Sequence, residues 1–168
     1  EAFTITVLDA NDAPVITSNS GGSTASINVD ENTSAVTTIT STDADASATA
    51  TYSISGTDVD DFTIDSSSGV LTFTSAPNHE SPTDSNSDNQ YIVTVTVTDN
   101  TSLTNTQTIT ITVADLNEAP AITSNSGGST ASISVDENTS AITIITATDE
   151  DASATATYSI SGTDVDDF

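Results

Sequence analysis

Carboxylates are the residues in this chain that could do chemistry. Acids flank an Asn and an Ala-Pro in "DANDAP", residues 9–14, and again in "DLNEAP", residues 115–120, 106 residues later. Asp43 with Asp45, and Asp149 with Asp151, add acids spaced two apart. The chain carries 25 acids, one His and no Lys or Arg, for a formal charge of −25. Two carboxylates about 4 Å apart repel by about 4 kcal/mol at an effective dielectric near 20. A whole domain is stable by only about 5–15 kcal/mol. Acids that converge here have no cationic side chain to offset them, so they call for a divalent cation. Calcium takes carboxylate and carbonyl oxygens. The absence of Cys and the single His argue against zinc or copper. The acids around Asn11 and Asn117 are therefore read as calcium ligands.

Other chemistries fit less well. His79 is the only imidazole, and no Gly-x-Ser-x-Gly is present. A nucleophile–base pair would rest on that residue alone, and it reads as a loop side chain beside Glu80. No enzyme is expected. The stretch from Asp43 resembles an EF-hand loop only at its start: Ala48 stands where a glycine is required and Ile54 where a bidentate glutamate is required. A chain this acidic repels nucleic acid and anionic lipid. No segment reaches the roughly 18 apolar residues of a membrane span. Sugar stacking needs exposed aromatics, and there is no Trp. Asp58, Asp60, Asp61, Asp84 and Asp88 read as solvated surface acids.

The elements that must hold these acids are strands. Ser and Thr number 60 of 168 residues, and Thr suits the solvent face of a strand. "YIVTVTVTD" from Tyr91 to Asp99 alternates strictly, placing Tyr91, Val93, Val95 and Val97 on one face. "TITITVA" from Thr108 to Ala114 turns Ile109, Ile111 and Val113 inward. Shorter candidates lie at 26–29, 35–40, 51–55, 61–65 and 70–74, separated by stretches such as "SNSGGST" and "DSSSG". About seven strands in roughly 100 residues predict an all-β fold, a Greek-key β-sandwich of the immunoglobulin-like kind. Residues 9–62 and 115–168 align without gaps, with 46 identities in 54 positions, so such sandwiches recur in tandem. The expected organisation is the last strand of a preceding repeat at 1–8, a linker at 9–12, a complete repeat at 13–114, a linker at 115–118, and the N-terminal half of a following repeat at 119–168.

The ordered motifs resemble the cadherin repeat family, in the cadherin-like form of large bacterial surface proteins. "DANDAP" is similar to the family's Asp-x-Asn-Asp-Asn-x-Pro linker, one Asn short. "VDEN" (29–32) resembles its x-Glu-Asn element, and "TDAD" (42–45) and "TDED" (148–151) its Asp-x-Asp. "FTIDSSSGVLTF" (62–73) resembles its Phe-x-Ile-Asp-x-x-x-Gly-x-Ile hairpin. "APNHE" (76–80) stands where the family has Leu-Asp-Arg-Glu, and "YIVTVTVTDN" (91–100) matches its Tyr-x-Val-x-Val-x-Ala-x-Asp strand. The resemblance covers essentially the whole chain.

The resemblance implies calcium at the junctions between repeats. Around linker 115–118 it assigns Glu31, Glu80, Asp115, Asn117 (through its main-chain carbonyl), Glu118, Asp149 and Asp151. Around linker 9–12 it assigns Asp9, Asn11, Asp12, Asp43, Asp45 and Asp99. Glu137, equivalent to Glu31, would serve a further junction. Asn78, in place of an Asp, and Ala13 and Ala119, in place of the second linker Asn, remove ligands and imply weaker binding. The function implied is calcium-dependent cell adhesion by an extracellular, surface-attached adhesin anchored through other parts of the protein. Its partners would be other cell-surface proteins or glycans, identical repeats among them. The alternatives are a passive calcium-stiffened stalk and a polysaccharide-binding module.

Overall fold

The structure, a computed structural model, describes residues 1–45, 48–151 and 153–167. It divides into two compact units, Glu1–Asp115 and Leu116–Phe168. Among the described residues no helix is long and apolar enough to cross a membrane.

Among the described residues the first unit holds nine strands: β1 (Val15–Ile16), β2 (Thr24–Asp30), β3 (Ala35–Thr38), β4 (Ser41–Thr42), β5 (Thr51–Ser55), β6 (Phe62–Ile64), β7 (Val70–Phe73), β8 (Gln90–Thr98) and β9 (Thr104–Ala114). Seven of them form two sheets, one ordered β2-β9-β8-β5 and the other β3-β7-β6, and β1 pairs with β4. β2 runs parallel to β9, with Ile27 opposite Ile111 and Val29 opposite Val113. β8 runs antiparallel to both β9 and β5.

The period-two pattern of β8 and β9 builds the core. Tyr91, Val93, Val95, Val97, Ile109, Ile111 and Val113 are all buried, as the alternation predicts. From the other sheet come Phe62, Leu71 and Phe73. The Tyr91 ring meets Phe62 and Phe73 edge-on, with centroids 6.0 and 5.1 Å away. Its hydroxyl accepts from the Thr83 amide at 3.1 Å, so the one polar atom of this ring is satisfied.

The β6–β7 hairpin is set by "DSSSG". The Asp65 carboxylate accepts from the Ser67 and Ser68 amides at 3.0 and 2.7 Å. Gly69 has a φ of 71°, and a Cβ there would collide with the Ile39 carbonyl, so the turn requires glycine.

The structure departs from the sequence pattern at three places. Residues 4–7 form no strand, and Phe3, Ile5 and Val7 are exposed; a strand needs a sheet to join, and none of the described residues supplies one. Among the described residues of the second unit, only β10 (Ala121–Ile122) and β11 (Ala147–Thr148) pair. Asp58 and Asp84 are not surface acids, each being only 4% exposed. Asp58 accepts from the Ser85 and Ile92 amides at 2.9 and 2.7 Å, and Asp84 from the Asp88 and Asn89 amides at 2.9 and 3.2 Å. Backbone donors stand in for the missing cations there.

Candidate metal centres

Most of the acids assigned as calcium ligands in the first unit lie near one or the other end of β9. That strand has 11 residues, which puts the ends roughly 35 Å apart at about 3.3 Å per residue.

One cluster lies at the Thr104 end, and the small β1–β4 ladder builds it. Pairing Val15 with Thr42 sets the segment 9–12 beside residues 43–45. The Asp12 amide donates to Asp45 Oδ2 at 2.7 Å, and the Asp45 amide to Asp43 Oδ1 at 2.9 Å. Asn11 Nδ2 donates to the Asp12 carbonyl at 2.8 Å and to Asp99 Oδ2 at 2.7 Å. Asp99 follows β8 directly and is buried. Its carboxylate also accepts from the Thr101 and Leu103 amides, both at 2.8 Å, and from the Thr101 hydroxyl at 3.1 Å. The Asn11 amide is the main cause holding the Asp99 carboxyl below the ordinary Asp range, with burial opposing it and the Leu103 and Thr101 amides assisting. Thr101 was not singled out from the sequence; no motif marks a hydroxyl that orients a neighbouring acid. Asp9 is exposed and joins no hydrogen bond of this cluster among the described residues.

The second cluster lies at the Ala114 end. The Glu31 amide donates to the Ala114 carbonyl at 3.1 Å, which places Glu31 at the close of β9. Glu31 is 1% exposed, and its Oε2 accepts from the His79 amide at 2.9 Å. A carboxylate oxygen of Glu31 lies within 4.8 Å of one on Glu80. His79 Nδ1 is 3.2 Å from Glu80 Oε1 and 4.0 Å from Asp115 Oδ2.

The second unit repeats the first cluster's hydrogen-bond relay. Asn117 Nδ2 donates to the Glu118 carbonyl at 2.9 Å. The Glu118 amide donates to Asp151 Oδ2 at 3.0 Å, and the Asp151 amide to Asp149 Oδ1 at 3.1 Å. Each bond has its counterpart at Asn11, Asp12, Asp45 and Asp43. Glu137 is exposed and lies outside this relay.

The donor set suits a hard cation. Every acid in these clusters offers carboxylate oxygen, with backbone carbonyls alongside. Asp43 Oδ2 and Glu80 Oε2 are buried and accept no hydrogen bond. A buried carboxylate oxygen left without a donor is costly, and a calcium ion would supply what it lacks.

The family model described as "Cadherin domain" matches residues 25–114. Among solved structures, the fold is similar to the Protocadherin GammaB4 extracellular domain, at 22% identity and a TM-score of 0.55, covering 87% of this chain and 23% of that one. It is similar to Protocadherin Gamma B7 extracellular cadherin domains 1–4, at 23% and 0.55, covering 86% and 35%. It is also similar to Human Protocadherin-24 EC1-2 in its second crystal form, at 22% and 0.55, covering 84% and 61%. The chain thus spans less than two thirds of each of these structures. No curated protein sequence matches it. With the family model spanning more than half of its 168 residues and a β-sandwich beneath that match, the chain belongs to the cadherin domain family.

Proposed function

We propose that this chain consists of calcium-binding cadherin repeats that act outside the cell in adhesion. The observation that carries this is the relay found on both linkers, Asp12–Asp45–Asp43 and Glu118–Asp151–Asp149. It ties the Asp43 and Asp45 carboxylates to backbone amides beside the linker in a chain with no Lys or Arg, and it leaves Asp43 Oδ2 buried without a donor. The calcium ligands around linker 9–12 are Asp9, Asn11, Asp12, Asp43, Asp45 and Asp99. Around linker 115–118 they are Glu31, Glu80, Asp115, Asn117, Glu118, Asp149 and Asp151. Calcium there lowers the freedom of one repeat against the next, so the reach of the array depends on calcium.

Affinity on the order of 10⁻⁴–10⁻³ M is expected, as for other extracellular modules. Calorimetry should show calcium uptake in that range, and Asp149→Ala with Asp151→Ala should weaken it about tenfold or more. Small-angle scattering should show the native chain lengthening with calcium and the double variant failing to do so. No calcium heat at millimolar concentration would sink the reading. The 46 identities in 54 aligned positions favour a second reading, a calcium-stiffened spacer, because interchangeable units suit a stalk. Beads coated with the chain separate the two: calcium-dependent clumping supports adhesion, and dispersed beads support the spacer.

A further inference from the structure

The sequence argues against zinc because one imidazole has no visible nitrogen or sulfur companion. The fold changes the terms by bringing two carboxylates to it. His79 Nδ1, Glu80 and Asp115 each present a ligand atom within 4.8 Å of the other two. The geometry points to a second metal site here, one that takes a borderline divalent ion of the zinc class through His79 Nδ1, Glu80 Oε1 and Asp115 Oδ2, with water as the fourth ligand.

Four features of the structure carry it. The His79 Nδ1 to Glu80 Oε1 separation is 3.2 Å. Tetrahedral zinc with bonds of about 2.0–2.2 Å sets neighbouring ligands roughly 3.3 Å apart, so two of the three already stand at the right spacing. Asp115 Oδ2 is 4.0 Å from Nδ1, and its side chain is 54% exposed; a tetrahedral site requires it to come about 0.7 Å closer. The His79 backbone is fixed at both of its polar groups: its amide donates to Glu31 Oε2 at 2.9 Å, and its carbonyl accepts from Asn89 Nδ2 at 2.9 Å. The ring is therefore delivered to the acids by a pinned loop. Lastly, Glu80 Oε1 is hydrogen-bonded to the His79 ring while its Oε2 is buried and accepts no hydrogen bond, so this carboxylate keeps capacity for a cation beyond its present partner.

The chemistry separates this site from the calcium reading. Calcium takes oxygen ligands and gains little from imidazole, whereas zinc, copper and nickel favour it. Glu80 and Asp115 serve both sites, so zinc and calcium compete at this end of β9. The site itself stands on the positions of residues 79, 80 and 115 whether or not calcium binds.

Because His79 is the only His, its ring signals in nuclear magnetic resonance need no assignment. Zinc chloride titrated into the calcium-free full chain should shift the Nδ1 resonance and saturate near one equivalent. Calcium chloride should not produce that Nδ1 shift. By calorimetry, His79→Gln should lower zinc affinity about tenfold or more while calcium affinity stays within about twofold. A ring indifferent to zinc, zinc bound through Nε2, or a His79→Gln chain that binds zinc as the native chain does would each overturn the site. Loss of calcium heat with the zinc response intact would sink the calcium reading and leave this one standing.

Discussion

Residues 26–29 read Ser-Ile-Asn-Val and residues 132–135 read Ser-Ile-Ser-Val. The first four lie inside the seven-residue strand β2, and the second four lie in no strand. Their immediate surroundings are nearly the same, so local propensity is not what separates them. β2 is an edge strand whose one sheet neighbour is β9, about 80 residues downstream. β5 depends on β8 and β3 on β7 in the same way. The stretch 115–168 matches only 9–62, so equivalents of β7, β8 and β9 are not in it. Where both partners fall inside the matched stretch, the structure does recur: Ala121 pairs with Thr148 as Val15 pairs with Thr42. The linker relay recurs with it. The sandwich is thus written in long-range pairs, while the linker relay is written locally.

The largest effect should come from placing those partner strands in the same chain. Extending the chain past Phe168 with a copy of residues 63–114 should turn 130–136 into a strand like β2. Amide exchange there should slow by about 10³-fold or more, the scale set by a domain's global stability. Exchange that stays fast in the extended chain would mean that the few differences between the copies, Asn28 against Ser134 among them, forbid the strand.

A smaller effect should come from one substitution made in both copies. Ile39 is 1% exposed, whereas its equivalent Ile145 is 40% exposed. Ile39→Ala removes methyl groups from a packed core and should cost about 2–5 kcal/mol. Ile145→Ala should cost under about 1 kcal/mol in the same chain. Denaturant melts of the two variants check this, and equal losses would contradict the difference in packing. In the extended chain the two costs should converge.

The comparison also shows which parts of the molecule the sequence displays. Strict alternation in 91–97 and 109–113 names seven inward residues, and all seven are buried, because period two is imposed by the pleat. β1 and β4 are invisible in advance; two-residue strands are too short to carry a period, yet they set the linker beside Asp43 and Asp45. The same alternation stands at 4–7 and 132–135, where no strand forms, since the pattern reports a face able to be buried and says nothing of whether a neighbour exists. Asp43, Asp45 and Asp12 could be named from spacing. Asp58 and Asp84 could not be told from surface acids, because their partners are backbone amides, which no side-chain pattern marks. His79 was visible only as a lone imidazole, and its approach to Asp115 depends on where β9 ends.

The smallest effect concerns Asp65, whose turn exists in the complete repeat and has no counterpart within 116–168. The Ser68 amide is the main cause holding its carboxyl below 3.8, followed by the Ser68 hydroxyl and the Ser67 amide. The folded chain therefore holds a proton there less readily than the unfolded chain. Stability from this turn is complete above the ordinary Asp value and is lost as pH falls through the lower folded value. Asp65→Asn should lower the melting temperature of the complete repeat slightly near neutral pH. The gap should shrink as pH drops from about 5 to about 2, because the native carboxyl then also becomes neutral. Melts across that window in calcium-free buffer read the gap directly. A gap that stays constant to the acid end would show that the carboxylate's charge contributes nothing to the turn and that only its shape does.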